Sequence, residues 1–163
     1  MSRSRRLLLF GGIVLMILGM SYGLWYAVFA EHQALDRIGG SLAAGFSSAA
    51  ARNSTAVDAA LGQYREAKYV YDRQVDVHSH WIGLAMLLVI LGFAFDRLGF
   101  SESVKTLLAW GLLLGAFLFP LGVFLQSFNH ASFPRAVAIA GSALVVACLA
   151  CAVFGIARGS ATR

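Results

Sequence analysis

The chain has 163 residues, of which 59% are hydrophobic and 13% are charged, and its mean hydropathy is +0.73. This composition excludes an ordinary water-soluble domain and predicts an integral membrane protein in a lipid bilayer. The formal net charge is +5, but the basic residues concentrate beside apolar segments, so the charge indicates membrane orientation and not a nucleic-acid partner. We expect residues 1–163 to form a single membrane domain, because no polar linker is long enough to separate two cores.

Four apolar segments are each long enough to cross a bilayer as a helix, which requires roughly 20 residues. They predict an all-α integral membrane protein, a four-transmembrane-helix bundle with spans at residues 7–30, 77–98, 104–126 and 134–157. The first apolar stretch exceeds the roughly 7–15 residues of a signal sequence. We therefore expect it to be a retained span.

The distribution of basic residues predicts the orientation of these spans. Seven arginines and lysines lie in three short flanks at one end of the spans, and six are spread along the longer polar segments at the other end. Dense cations close to span ends are typical of the cytoplasmic side. The sequence thus predicts a multi-pass protein of the inner (plasma) membrane with both termini in the cytoplasm.

The extracytoplasmic segment at residues 31–76 is predicted to be a helical loop with two breaks. The glycine pair at 39–40 and the polar triplet at 53–55 are expected to interrupt it. Ser54 or Thr55 is the predicted N-cap of the next helix.

The second transmembrane helix is predicted to begin inside this loop. From Val57 onward, apolar and aromatic residues recur at three- and four-residue steps, and neither proline nor glycine separates Gln63 from Ile82. The helix should therefore start near Thr55 and enter the membrane as one continuous rod.

All four histidines fall at the periplasmic, or extracytoplasmic, end of the predicted spans. His32 follows the first span, His78 and His80 precede the second, and His130 follows the third. On a continuous helix, Asp76 lies one turn from His80 on the same face. His78 lies about 200° round the helix from His80, so the two rings cannot bind one ligand on a regular helix.

Imidazoles at the ends of different helices favour a bound cofactor. A haem b requires two neutral imidazoles across an apolar slot, and the predicted cofactor-binding residues are His32, His80 and His130. Alternatively, a copper or zinc ion at this site would take two or three imidazoles and a carboxylate. The predicted metal ligands are His78, His80 and His130 with Asp76, which alternatively orients His80.

The leading hypothesis is a membrane subunit of a respiratory or oxidase-type complex that binds haem b or copper near the periplasmic face. Such a chain would be an electron-transfer subunit of an oxidoreductase. The alternative is a cofactor-free structural or assembly subunit, whose histidines pack at the membrane interface and whose outer helical loop binds a partner. A second alternative is a quinone-interacting subunit.

Other membrane-protein subunits are the expected partners, because several helix faces are rich in glycine and small residues allow helices to approach closely in lipid. The glycines expected to serve both the bundle and subunit contacts are Gly11, Gly12, Gly19, Gly23, Gly111, Gly115 and Gly122.

A C-x-x-C pair, Cys148 and Cys151, offers a weaker alternative. Small four-helix thiol oxidoreductases that pass electrons to quinone carry such a pair, and the chain resembles them in that pair and in its number of spans. The chain has no second cysteine pair to exchange electrons with, and residues three apart on a helix are badly placed for a disulfide. We expect both cysteines to be small packing residues.

Overall fold

The computed structural model describes residues 1–128 and 131–161, and within these ranges it consists of five α-helices and one 3-10 turn. They are α1 (Arg3–Phe29), α2 (Glu31–Ala50), α3 (Ser54–Ala94), the turn Phe95–Arg97, α4 (Glu102–Gln126) and α5 (Ser132–Ala161). Helices α1, α3, α4 and α5 are each long and apolar enough to cross a membrane. The prediction of an all-helical chain with four potential spans is confirmed.

Helix α3 is a continuous helix of 41 residues, as predicted. At about 1.5 Å per residue it is about 60 Å long, twice the thickness of the hydrocarbon core. Its C-terminal half packs against α1 and α4, where Gly19 of α1 faces Trp81. Its N-terminal half packs against α2, where Gly45 faces Ala60. We call residues 31–76, which comprise α2 and the first half of α3, the arm.

The predicted break at the glycine pair is wrong. Helix α2 continues through Gly39 and Gly40, and both glycines have open space around them. Two glycines lower the intrinsic stability of a helix by about 1 kcal/mol each. Packing of α2 along α3 outweighs that cost, with Ser41 buried in the contact, because tertiary packing supplies most helix stability in proteins.

The second predicted break is present between α2 and α3. Arg52 adopts a positive φ of 56° there. The N-cap of α3 is Asn53 and not Ser54 or Thr55, because the Asn53 side-chain oxygen accepts a hydrogen bond from the backbone N–H of Ala56 at 3.1 Å. The predicted start of the helix is therefore correct to within a residue.

Glycines bring the four long helices into close contact. A Cβ atom on Gly115 would lie 2.8 Å from the carbonyl oxygen of Gly141, and one on Gly122 would collide with the backbone of Ala138. The seven glycines expected to serve both the bundle and subunit contacts all face neighbours within this chain. The bundle itself thus accounts for these small-residue faces.

The end of the bundle that carries the N-terminus is fastened by a polar network. The backbone N–H of Ser4, which is fully buried, donates to Glu102 Oε1 at 2.9 Å. Arg5 pairs with Asp96 at 3.2 Å, and Lys105 Nζ donates to the Asp96 carbonyl at 3.1 Å. These contacts join the start of α1 to the connection between α3 and α4.

Candidate functional site

The structure distributes the described histidines over three different environments. His32 is exposed on α2, whereas His78 and His80 are half-buried on α3. His130 lies outside the described residues. The predicted haem or metal ligand pairs that include His130 therefore also lie outside the described residues.

His78 packs against α1. A Cβ atom on Gly23 would lie 3.4 Å from His78 Cδ2, so the glycine leaves room for the ring. The Nδ1 atom of His78 is buried and has no hydrogen-bond partner among the described residues.

His80 lies on another face of α3, against α4. Its ring is edge-on to Phe119, with 4.6 Å between ring centroids, and its Nδ1 lies 2.6 Å from the backbone carbonyl oxygen of Asp76. Because a carbonyl only accepts, Nδ1 donates in this hydrogen bond, and in a neutral ring with that tautomer Nε2 would carry the lone pair that can bind a metal. The Asp76 carboxylate pairs instead with Arg73 at 3.4 Å.

Asp76 thus contacts His80 through its backbone carbonyl and not through its carboxylate. Within residues 1–128 and 131–161, no three histidine, cysteine, aspartate or glutamate side chains come together to hold a metal ion. The i, i+2 spacing of His78 and His80 explains part of this result, because it directs the two rings to different neighbouring helices.

The sequence prediction missed a buried polar layer between α1 and α3 at the base of the arm. The Tyr22 hydroxyl donates to Gln74 Oε1, and Gln74 is only 8% exposed. Tyr26 is 5% exposed, and its hydroxyl has no hydrogen-bond partner among the described residues. The spacing of these residues could have indicated the layer, because Tyr22 and Tyr26 are one helical turn apart and Gln74 lies one turn from His78.

Two adjacent cavities lie along one side of the arm, and the smaller of them begins at this polar layer. The smaller has a volume of about 140 Å³ and is lined by Trp25, Tyr26 and Gln74, among others. The larger has a volume of about 700 Å³ and lies between α2 and α3. Arg37 lines both cavities.

No protein-family model, curated protein or solved structure matches this chain.

The arm also exposes a stripe of large apolar side chains. Leu35, Leu42 and Phe46 lie at steps of seven and four residues on α2, and therefore on one face of that helix. Phe46 is 75% exposed, and Leu35 and Leu42 are partly exposed. Leu61 of α3 is exposed as well. We call these four side chains the apolar stripe.

The two cysteines are free and differ in environment. Cys148 is buried beside Gly111, where a Cβ atom on the glycine would lie 2.6 Å from the cysteine sulfur. It is a small packing residue, as expected. Cys151 is exposed on α5.

Proposed function

We propose that the chain is a membrane-anchored accessory subunit that binds another subunit of its complex through the arm, on the extracytoplasmic side. The observation that carries this proposal is the apolar stripe. Its residues lie in the arm, before the predicted second span, where we expect Leu42, Phe46 and Leu61 to be surrounded by water. Large apolar side chains that follow one exposed face of a helix in water typically mark a protein interface.

The chemistry of the stripe favours an amphipathic helix as the partner element. Three of its side chains follow one face of α2, and such a face packs against the apolar face of another helix. Full burial of each large apolar side chain contributes about 1.5–3 kcal/mol. The arm carries six acidic and five basic residues, so its near-neutral charge leaves apolar packing as the main source of affinity.

The experiment replaces the most exposed stripe residue with a charged one. Phe46→Asp should detach the partner, because a carboxylate loses its hydration when it enters an apolar interface. Ser47→Asp is the matched control, since Ser47 is also exposed on α2 but lies about 100° round the helix from Phe46. Native gel electrophoresis of gently solubilised membranes reports the mass and composition of the complex.

We expect the unmodified chain and the Ser47→Asp variant to migrate in a complex with other polypeptides, and Phe46→Asp to migrate alone with an unchanged melting temperature. The proposal is wrong if the unmodified chain migrates only as a monomer or homodimer, or if Phe46→Asp keeps the complex.

We propose electron transfer through haem b or copper as the second candidate function, because of one observation. The hydrogen bond from His80 Nδ1 to the Asp76 carbonyl leaves Nε2 available, and metal-binding histidines usually have such a partner on the other ring nitrogen. His80 and His130 would then supply the ligands, and the bound group would supply a one-electron redox centre.

A reduced-minus-oxidised visible spectrum and metal analysis of the purified chain test this second candidate. Haem bands or stoichiometric copper should disappear in His80→Ala and persist in His32→Ala, because His32 is exposed on the arm. A folded, colourless and metal-free chain would exclude the redox function.

A further inference from the structure

We infer that the two cavities at the base of the arm bind the head group of an anionic phospholipid. The cavities are separate from the apolar stripe, so this inference does not depend on the proposed partner.

The smaller cavity lies where α1 ends. Trp25 lines it and is 50% exposed, four residues before the helix ends at Phe29. Tryptophan at the end of an apolar span typically lies at the depth of lipid head groups. A phospholipid phosphate at this depth can enter the cavity while its acyl chains stay in the bilayer beside exposed apolar residues of α1, such as Leu24 and Val28.

The charge of the lining favours an anion. Arg37 lines both cavities and forms no ion pair within the described part of the chain. No acidic residue lines the smaller cavity. Glu66 lines the larger cavity, where it already has an interaction partner. A guanidinium group binds phosphate oxygens through two parallel hydrogen bonds, so Arg37 is the expected phosphate ligand.

The buried polar layer adds hydrogen-bond donors. Gln74 Oε1 accepts from Tyr22, which leaves the Gln74 amide nitrogen as the donor on that side chain. The Tyr26 hydroxyl is buried and has no partner among the described residues, and an unpaired buried hydroxyl is destabilising. Phosphate oxygens only accept, and therefore complement these groups.

The volumes of the cavities suit a lipid with a polar head beyond its phosphate. The smaller cavity, about 140 Å³, can hold the phosphate, and the larger one, about 700 Å³, can hold the alcohol of the head group. Ser41 and Gln63 in the lining of the larger cavity provide hydrogen-bonding groups for such an alcohol. Phosphatidylglycerol has this chemistry and carries the net negative charge that Arg37 selects.

The test measures which lipid the purified full-length chain retains. The chain is exchanged into detergent containing equal amounts of phosphatidylglycerol, phosphatidylcholine and a quinone, and native mass spectrometry identifies the retained molecule. Two variants probe the site: Arg37→Gln removes the charge, and Tyr26→Phe removes only the hydroxyl. Arg65→Gln is the control, because Arg65 is an exposed arginine that lines neither cavity.

We expect the unmodified chain and Arg65→Gln to retain one phosphatidylglycerol in preference to phosphatidylcholine. Arg37→Gln should weaken retention at least about tenfold, because the glutamine amide is uncharged and can replace at most one of the two hydrogen bonds to the phosphate. Tyr26→Phe should weaken it by a smaller factor. Equal retention by Arg37→Gln, equal retention of the two phospholipids, or retention of the quinone in their place would each overturn the inference.

Discussion

The half-buried His78 and His80 show how a two-residue spacing on a helix separates like side chains. His78 packs beside Gly23 of α1, and His80 packs edge-on to Phe119 of α4. Two rings about 200° apart on one helix necessarily face different neighbours. The separation was predictable from the spacing, whereas the neighbours depend on which helices flank α3. The choice of the Asp76 carbonyl over its carboxylate was not predictable either, because nearby Arg73 pairs with the carboxylate.

Gly122 provides a residue-scale prediction about stability. Gly122→Ala should lower the stability of the bundle by about 1–3 kcal/mol, the usual cost of overpacking, because the added methyl group would collide with the backbone of Ala138. Thermal unfolding in detergent, followed by circular dichroism, measures the change.

Gly83 provides the matched control for that substitution. It lies in α3 with no atom near the position of a Cβ. Alanine is the better helix former, so Gly83→Ala should leave the melting temperature unchanged or raise it. Equal melting temperatures for Gly122→Ala and the unmodified chain would contradict the close contact between α4 and α5.

At the scale of elements, the sequence predicted the helices correctly wherever a hydropathy or periodicity pattern extended over many residues. The four apolar segments predict the four long helices, and the uninterrupted stretch from Gln63 to Ile82 predicts the continuity of α3. These signals succeed because hydropathy and helical periodicity accumulate over many residues.

The sequence did not predict the structural features that depend on contacts between helices or on turn geometry. Local propensity predicts a break at Gly39 and Gly40, but packing on α3 keeps α2 helical. Propensity places the cap of α3 within a polar triplet, but only the geometry of the turn selects Asn53. The cavities beside Arg37 were also unpredictable, because they form between two helices whose pairing no local pattern specifies.

At the scale of the whole molecule, the chain has two chemically different ends. A polar network fastens the end that carries the N-terminus, and the arm extends from the other end. The density of basic residues at the first end predicts that it lies in the cytoplasm. The arm would then face the extracytoplasmic side.

Cysteine labelling in intact cells tests this orientation. In a chain whose own cysteines are replaced by alanine, Ser47→Cys places a thiol on the arm, and Ser101→Cys places one at the opposite end, both at exposed positions. A membrane-impermeant maleimide should label the Ser47→Cys variant in intact cells and the Ser101→Cys variant only after the cells are opened. The reverse pattern would invert the predicted topology.

Because α3 is long and continuous, the number of its residues sets how far the arm extends from the membrane-spanning part of the chain. Because Gly45 faces Ala60, neighbouring Phe46 stands at about the height of Ala60, which is about 25 Å along α3 from the predicted start of the second span at Val77. A continuous helix has a fixed rise per residue, so the distance along α3 between Ala60 and Val77 is set by the number of residues and not by the conformation of a loop. A partner that is anchored in the same membrane and binds Phe46 would therefore have to reach about 25 Å along α3 from the start of the span, whereas Leu35, at the other end of the stripe, lies about 16 Å lower on α2.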